Sequence, residues 1–174
     1  GRRLERLGEE SREALTLAAV LGQQFRFGAL LQASGLEEER LLKMLDEWLG
    51  AHLVIEERQG REERYRFQHA LIREVLYDAL NLRRKARLHE RAGTALEAVY
   101  PHHPEGRLDH RQPASFSPSG VVEVYPHPLV EHLDELAHHF AQARSVTAME
   151  KGIDYCLRAG EQSRHLYANE AAIR

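Results

Sequence analysis

Cysteine is almost missing from this chain: Cys156 is the single one in 174 residues. One thiol excludes an internal disulfide framework and fits a reducing compartment. Long apolar runs are missing too. None approaches the roughly 20 residues of a membrane helix, and Gly1-Arg2-Arg3-Leu4-Glu5-Arg6-Leu7 lacks the apolar core of a secretion signal. There is little net charge, formally −3, and so no general attraction to nucleic acid or anionic lipid. Proline is absent outside one window: all six lie between Pro101 and Pro128. No G-x-x-x-x-G-K-[ST], G-x-G-x-x-G or G-x-S-x-G occurs, which removes a phosphate-cradling loop and an autonomous NTPase. With 43% hydrophobic and 29% charged residues, the expectation is a cytoplasmic, mainly α-helical protein.

The most informative stretch runs from Tyr65 to Leu80. Tyr65 and Phe67 alternate with polar residues, the period of a half-buried strand. From Leu71 the period becomes helical: Leu71, Ile72, Val75, Leu76, Ala79 and Leu80 predict one broad apolar face. Tyr65, Phe67, Leu71, Ile72, Leu76 and Tyr77 are therefore assigned structural roles. His69 falls at the junction, on the predicted first turn of the helix, where unpaired backbone N–H groups favour an anion. It reads either as a phosphate contact or as a plain helix start.

Upstream, helices are predicted over Ser11–Leu21, stopped by Gly22, over Phe27–Ala33, ended by Gly35, and over Glu37–Leu49. Val54–Arg58 and Glu63–Gln68 flank a turn around Gln59-Gly60-Arg61, a hairpin signal. Three short helices followed by a β-ribbon is the order of a winged helix, assigned to residues 1–80. A connecting helix follows over Leu82–Val99, within residues 81–100. Residues 101–128, rich in proline and histidine, read as a flexible insertion, with Val121–Tyr125 a possible short strand. Two more helices, Leu129–Ala143 and Thr147–Ser163, the latter with Ile153, Leu157 and Ala159 inward, give 129–174 the look of the start of a tetratricopeptide-like repeat. Helix-like sequence at both ends predicts a fragment of a longer polypeptide.

Few residues specify chemistry. Glu131, His132, Glu135, His138 and His139 crowd one helix, and Glu135 to His138 has the Glu-x-x-His spacing of carboxylate-bridged metal sites. Such sites need matching ligands on neighbouring helices, and none is evident. His102, His103, His110 and His127 lie in the insertion. Cys156 reads as a small buried side chain. DNA reading by the third helix is opposed by Glu37, Glu38, Glu39, Asp46 and Glu47, set against Arg40 and Lys43. Arg83-Arg84-Lys85-Ala86-Arg87 is the one cationic cluster, read as a solvated helix start holding acidic neighbours. A DNA-binding winged helix and a metal-dependent enzyme stand as alternatives to a regulatory segment.

Leu17-Ala18-Ala19-Val20-Leu21-Gly22-Gln23-Gln24-Phe25, Tyr65 to Tyr77, Arg84-Lys85-Ala86-Arg87-Leu88-His89, Glu135-Leu136-Ala137-His138-His139-Phe140 and Ala159-Gly160-Glu161-Gln162-Ser163 together resemble one family. It is the region following the ATPase module in STAND-class P-loop ATPases, as in large LuxR-type transcriptional regulators and ATPase-linked adenylate cyclases. The resemblance implies a non-catalytic segment whose partners are an upstream ATPase domain of the same chain and a protein or small-molecule inducer on downstream repeats. It implies no cofactor within the segment itself, ADP or ATP with Mg²⁺ in the parent protein, and His69 as a contact to ADP. The family's Met-His-Asp is here Gln68-His69-Ala70: the histidine matches and the acid does not. Neither a nucleic acid nor a membrane is expected as a direct partner.

Overall fold

The computed structural model describes residues 4–59, 62–100 and 132–172. The insertion, its candidate strand at Val121–Tyr125, its four histidines and Glu131 lie outside them. What is described is mainly helical, with a three-stranded antiparallel sheet. No helix among the described residues is long and apolar enough to cross a membrane.

After a short 3-10 turn at Leu4–Arg6, α1 spans Glu9–Leu21 with two acids at its positive end. Gly22 ends it at φ +149°, its N–H reaching the Ala18 carbonyl at 3.2 Å. Strand β1, Gln24–Arg26, leads directly into α2, Phe27–Ser34, closed by left-handed Gly35 at φ +68°. Helix α3, Glu38–Gly50, begins with Glu38 and Glu39 and buries Leu41, Met44, Leu45 and Trp48. Burying an indole leaves its N–H needing an acceptor. Trp48 Nε1 donates to Ser11 Oγ at 2.9 Å, and that hydroxyl donates to Glu47 Oε2 at 2.7 Å.

Strands β2, Val54–Gln59, and β3, Glu62–Phe67, form the expected hairpin. The sheet order is β1-β3-β2, with Phe25 opposite Tyr65 and Val54 opposite Phe67. All four of these side chains are buried on one face. Strand β1 carries no signal in the sequence because three residues are too few to show an alternation. Its pairing with β3 is a tertiary fact.

Helix α4, Ala70–Asp78, corrects the broad apolar face expected here. It buries Leu76 and half-buries Ile72 and Tyr77, while Leu71 is 67% and Val75 51% exposed. Leu71 therefore has no structural role in this core. The helix meets α1 along a narrow stripe, and Arg73 Nε donates to the Ala19 carbonyl of α1 at 3.0 Å. One stripe faces inward and the adjacent one faces out.

Helix α5, Leu82–Val99, starts with Asn81 Oδ1 accepting from the Arg84 N–H at 2.9 Å. It packs on α1 and α2 and, further along, on α6, Leu133–Gln142. Gly93 is required there. A Cβ at this position would lie 2.9 Å from the Phe140 ring of α6. Helix α7, Val146–Ala172, folds back along α6 and runs past the predicted end at Ser163. Its buried stripe is Ala148, Gly152 and Tyr155, with Ala159 half-buried beside it, and Tyr155 stacks on Phe140 at 5.7 Å. Ile153 and Leu157, expected inward, are 62% and 65% exposed. Two stripes of similar periodicity compete on this helix, and the one with glycine and alanine wins because it lets the backbones approach.

Candidate functional site

Strand β3 ends on buried Phe67 and delivers His69 to the start of α4. The strand's exit is fixed by two backbone bonds, Phe67 N–H to the Gln23 carbonyl and Gln68 N–H to the Leu53 carbonyl, both 3.0 Å. His69 sits one position earlier than expected, as the residue before the first turn, with extended backbone at φ −132° and ψ 133°. Its carbonyl accepts from the Ile72 N–H at 3.0 Å, while its imidazole is exposed, makes no capping bond and has no partner among the described residues. Beside it, the Gln68 side-chain oxygen is buried with no hydrogen-bond donor among the described residues. Leu71 and Val75 continue outward along the same helix. The result is a free imidazole next to an uncovered apolar strip, an arrangement suited to a partner surface.

The more densely built group lies between α4, α5 and α6; of its members the sequence singles out His139, as a candidate metal ligand, but not His89. His89 falls on the buried face of α5, with Ala86, Ala92, Gly93 and Leu96. His139 falls on that of α6, with Leu136 and Phe140. Both rings are 1% exposed, and their Nδ1 atoms are 2.9 Å apart. His89 Nε2 lies 2.9 Å from the Tyr77 hydroxyl. The tautomers that best satisfy these atoms form a relay: Tyr77 O–H donates to His89 Nε2, and His89 Nδ1–H donates to His139 Nδ1. His139 Nε2 then carries a hydrogen, and it has no well-formed hydrogen bond among the described residues.

Burial pushes the His89 pKa down to about 3, assisted by the neighbouring His139 and His138 rings and by the Arg73 and Lys85 charges. Burial likewise pushes His139 down to about 4, against an opposing pull from Glu135 and the nearby Leu21 carbonyl. Both rings are thereby held neutral. Lys85 Nζ lies 4.1 Å from the Tyr77 ring centroid, and the Arg73 guanidinium lies 5.4 Å from it, so cations flank the group without entering it.

A second network joins the strand end of α2 to the outer end of α5. Arg26 Nη1 donates to the Tyr100 hydroxyl and, at 2.6 Å, to His132 Nε2. His132 Nδ1 is 3.2 Å from Glu135 Oε2, and the Tyr100 and His132 rings stack at 4.2 Å. Burial disfavours the Glu135 charge, but the His132 hydrogen bond and nearby positive charge outweigh it and hold the carboxyl below its ordinary value.

The candidate metal ligands are thus divided between tasks. His132 and Glu135 pair with each other, His139 pairs with His89, and His138 stays exposed with its ring 5.5 Å from both His89 and His139. Among the described residues no three His, Cys, Asp or Glu side chains converge as a metal site. Cys156, expected to be buried, is exposed on α7. Glu37, at the N-cap of α3, and Glu38, Glu39, Asp46 and Glu47 within it are all exposed, and Arg40 is engaged by Glu10 at 2.5 Å.

His89 was recoverable from the sequence, since it falls in the helical stripe Ala86, His89, Ala92, Leu96. Its pairing with a residue 50 positions away was not. No family model matches the chain, and no curated protein shows significant sequence similarity to it.

Proposed function

We propose that this chain is a non-catalytic regulatory segment of a STAND-type signalling ATPase. In this reading residues 1–80 are a winged helix, and the α6–α7 pair opens a tetratricopeptide-like array. The segment couples the nucleotide state of an upstream ATPase to an inducer or partner on the repeats, in transcriptional or cyclic-nucleotide signalling.

The observation that carries the reading is the junction between hairpin and α4. The stretch that most resembles the family is also where an imidazole and two large apolar side chains are left uncovered. A monomeric domain gains nothing from exposing Leu71 and Val75; a docking face for the ATPase domain does. Helix α4 is tied to α1 through Arg73 and to α5 through Tyr77 and His89. Docking at its outer strip therefore bears on the helices that carry the α6–α7 pair. Two ligands biasing one such interface are coupled reciprocally.

His69 fits the role of a donor to an ADP phosphate presented by the upstream domain, because its ring is free and exposed. When bound, the nucleotide would supply the phosphate charge that distinguishes the resting state. This chain supplies the imidazole and the apolar strip.

The test is the amount of ADP co-purifying with the parent polypeptide, wild type against His69→Ala. Retained ADP that falls in the variant supports both the reading and the residue. Equal ADP in both removes His69 from the nucleotide contact. No nucleotide in either refutes the family reading.

A further inference from the structure

Arginines on α5 divide into those that are used and those that are not. Arg84 pairs with Glu13 at 2.7 Å, and Arg91 donates to the Ala33 and Ser34 carbonyls at 2.6 and 3.2 Å. Arg83 and Arg87, one helical turn apart, have no hydrogen bond or ion pair among the described residues, and neither has Arg144 in the α6–α7 turn. These three line one cavity of about 330 Å³, together with Ala86, Glu90 and Ser145. The single carboxylate there, Glu90, is already engaged: Ser145 Oγ donates to its Oε1 at 2.6 Å. Three guanidiniums less one carboxylate leave a formal charge of +2 on the lining. Like charges at i and i+4 are mildly destabilising, by roughly 0.2–0.5 kcal/mol. Folding alone does not favour this grouping.

We propose that the Arg83–Arg87–Arg144 cavity is a binding site for a small phosphate-bearing molecule. Arg83 and Arg87 come from α5 and Arg144 from the α6–α7 turn, and a planar guanidinium can bind the oxygens of a tetrahedral dianion through two parallel N–H donors. The volume, at the low end for small-molecule sites, suits a phosphate group rather than a polymer. A second cavity of about 380 Å³ shares Arg87 and Glu90 and continues along α5 between Gln32, Ala33 and Thr94. That continuation gives a phosphate ester a place for its organic part, which free phosphate does not need. Bound there, the ligand ties α5 to the turn that starts α7. This site is independent of the docking reading above, since neither His69 nor the Leu71 strip takes part.

The experiment is a ¹H–¹⁵N NMR titration of the chain at fixed ionic strength with two probes, inorganic phosphate and glucose 6-phosphate, and with chloride as control. Saturable shifts centred on residues 83–95 and 144–148, with the ester binding about tenfold more tightly than phosphate, are expected; equal affinities would assign the site to free phosphate alone and remove the ester. Arg87→Gln and Arg144→Gln should each weaken binding about tenfold and Arg84→Gln should leave it unchanged, since Arg84 serves Glu13. All are exposed, so the fold is retained, and thermal melting of the unliganded variants checks it. Shifts scattered over the basic surface, or binding indifferent to Arg87→Gln and Arg144→Gln, would reveal an adventitious ion only and overturn the proposal. Preferential binding of an RNA oligomer over the ester would also overturn it.

Discussion

Acidification should destabilise this protein before its carboxylates are titrated, and the His89–His139 pair sets the amount. Both rings are held neutral in the folded state, with pKa values near 3 and 4. In the unfolded chain each has the ordinary value of about 6.5. A group with a depressed folded pKa contributes stability above its unfolded pKa. Here that contribution begins to fall as the pH drops through about 6.5, because only the unfolded chain takes up the protons. Each unit of pH below that point costs about 1.4 kcal/mol per histidine, so at pH about 5 the loss is about 2 kcal/mol for each and about 4 for the pair. Against a total stability of about 5–15 kcal/mol this is a large fraction. Glu135 is no competitor in this window, since its own folded value is lowered from 4.5 and its contribution is lost only at lower pH.

The assay is urea unfolding followed by circular dichroism at about pH 7.5 and about pH 5, with the slope of the transition checked for constancy. His89→Gln keeps a hydrogen-bonding side chain and removes one titration, so the pH-dependent loss should fall by about half. The double variant with His139→Gln should show little loss. A wild-type difference below about 1 kcal/mol, or an unchanged difference in the double variant, would refute the claim that these buried rings stay neutral.

Gly93→Ala should cost about 1–3 kcal/mol and lower the melting temperature, because the added methyl meets the Phe140 ring at 2.9 Å in a packed helix interface. Ser11→Ala should cost about 1–3 kcal/mol, since Trp48 Nε1 loses its acceptor within the core. Leu71→Asp with Val75→Asp should leave the melting temperature of the chain nearly unchanged, being exposed. The same pair should abolish co-purification of this chain with the separately expressed ATPase domain; retained association would remove the strip as a docking face.

Local order was written into the sequence wherever the physics is local. Glycine at φ +68° ends α2 because it adopts that left-handed conformation at no steric cost, and Gly35 announces it. The hairpin and α5 follow from period and turn chemistry, and Leu82–Val99 was found at its observed bounds. Tyr65 and Phe67 were recognisable as inward because alternation is a property of the strand itself. What the sequence left open were choices between faces. Helix α4 carries two adjacent apolar stripes and α7 two competing ones; periodicity ranks neither, because burial depends on what arrives from elsewhere in the chain. For α7, Gly152 admitting the α6 backbone at Phe140, 12 positions away, decided it; for α4 it was packing on α1, where Arg73 reaches the Ala19 carbonyl 54 positions away. The histidine pair belongs to the same class. Its residues were individually visible, but their neutrality comes from a buried interface between helices that only the tertiary structure assembles.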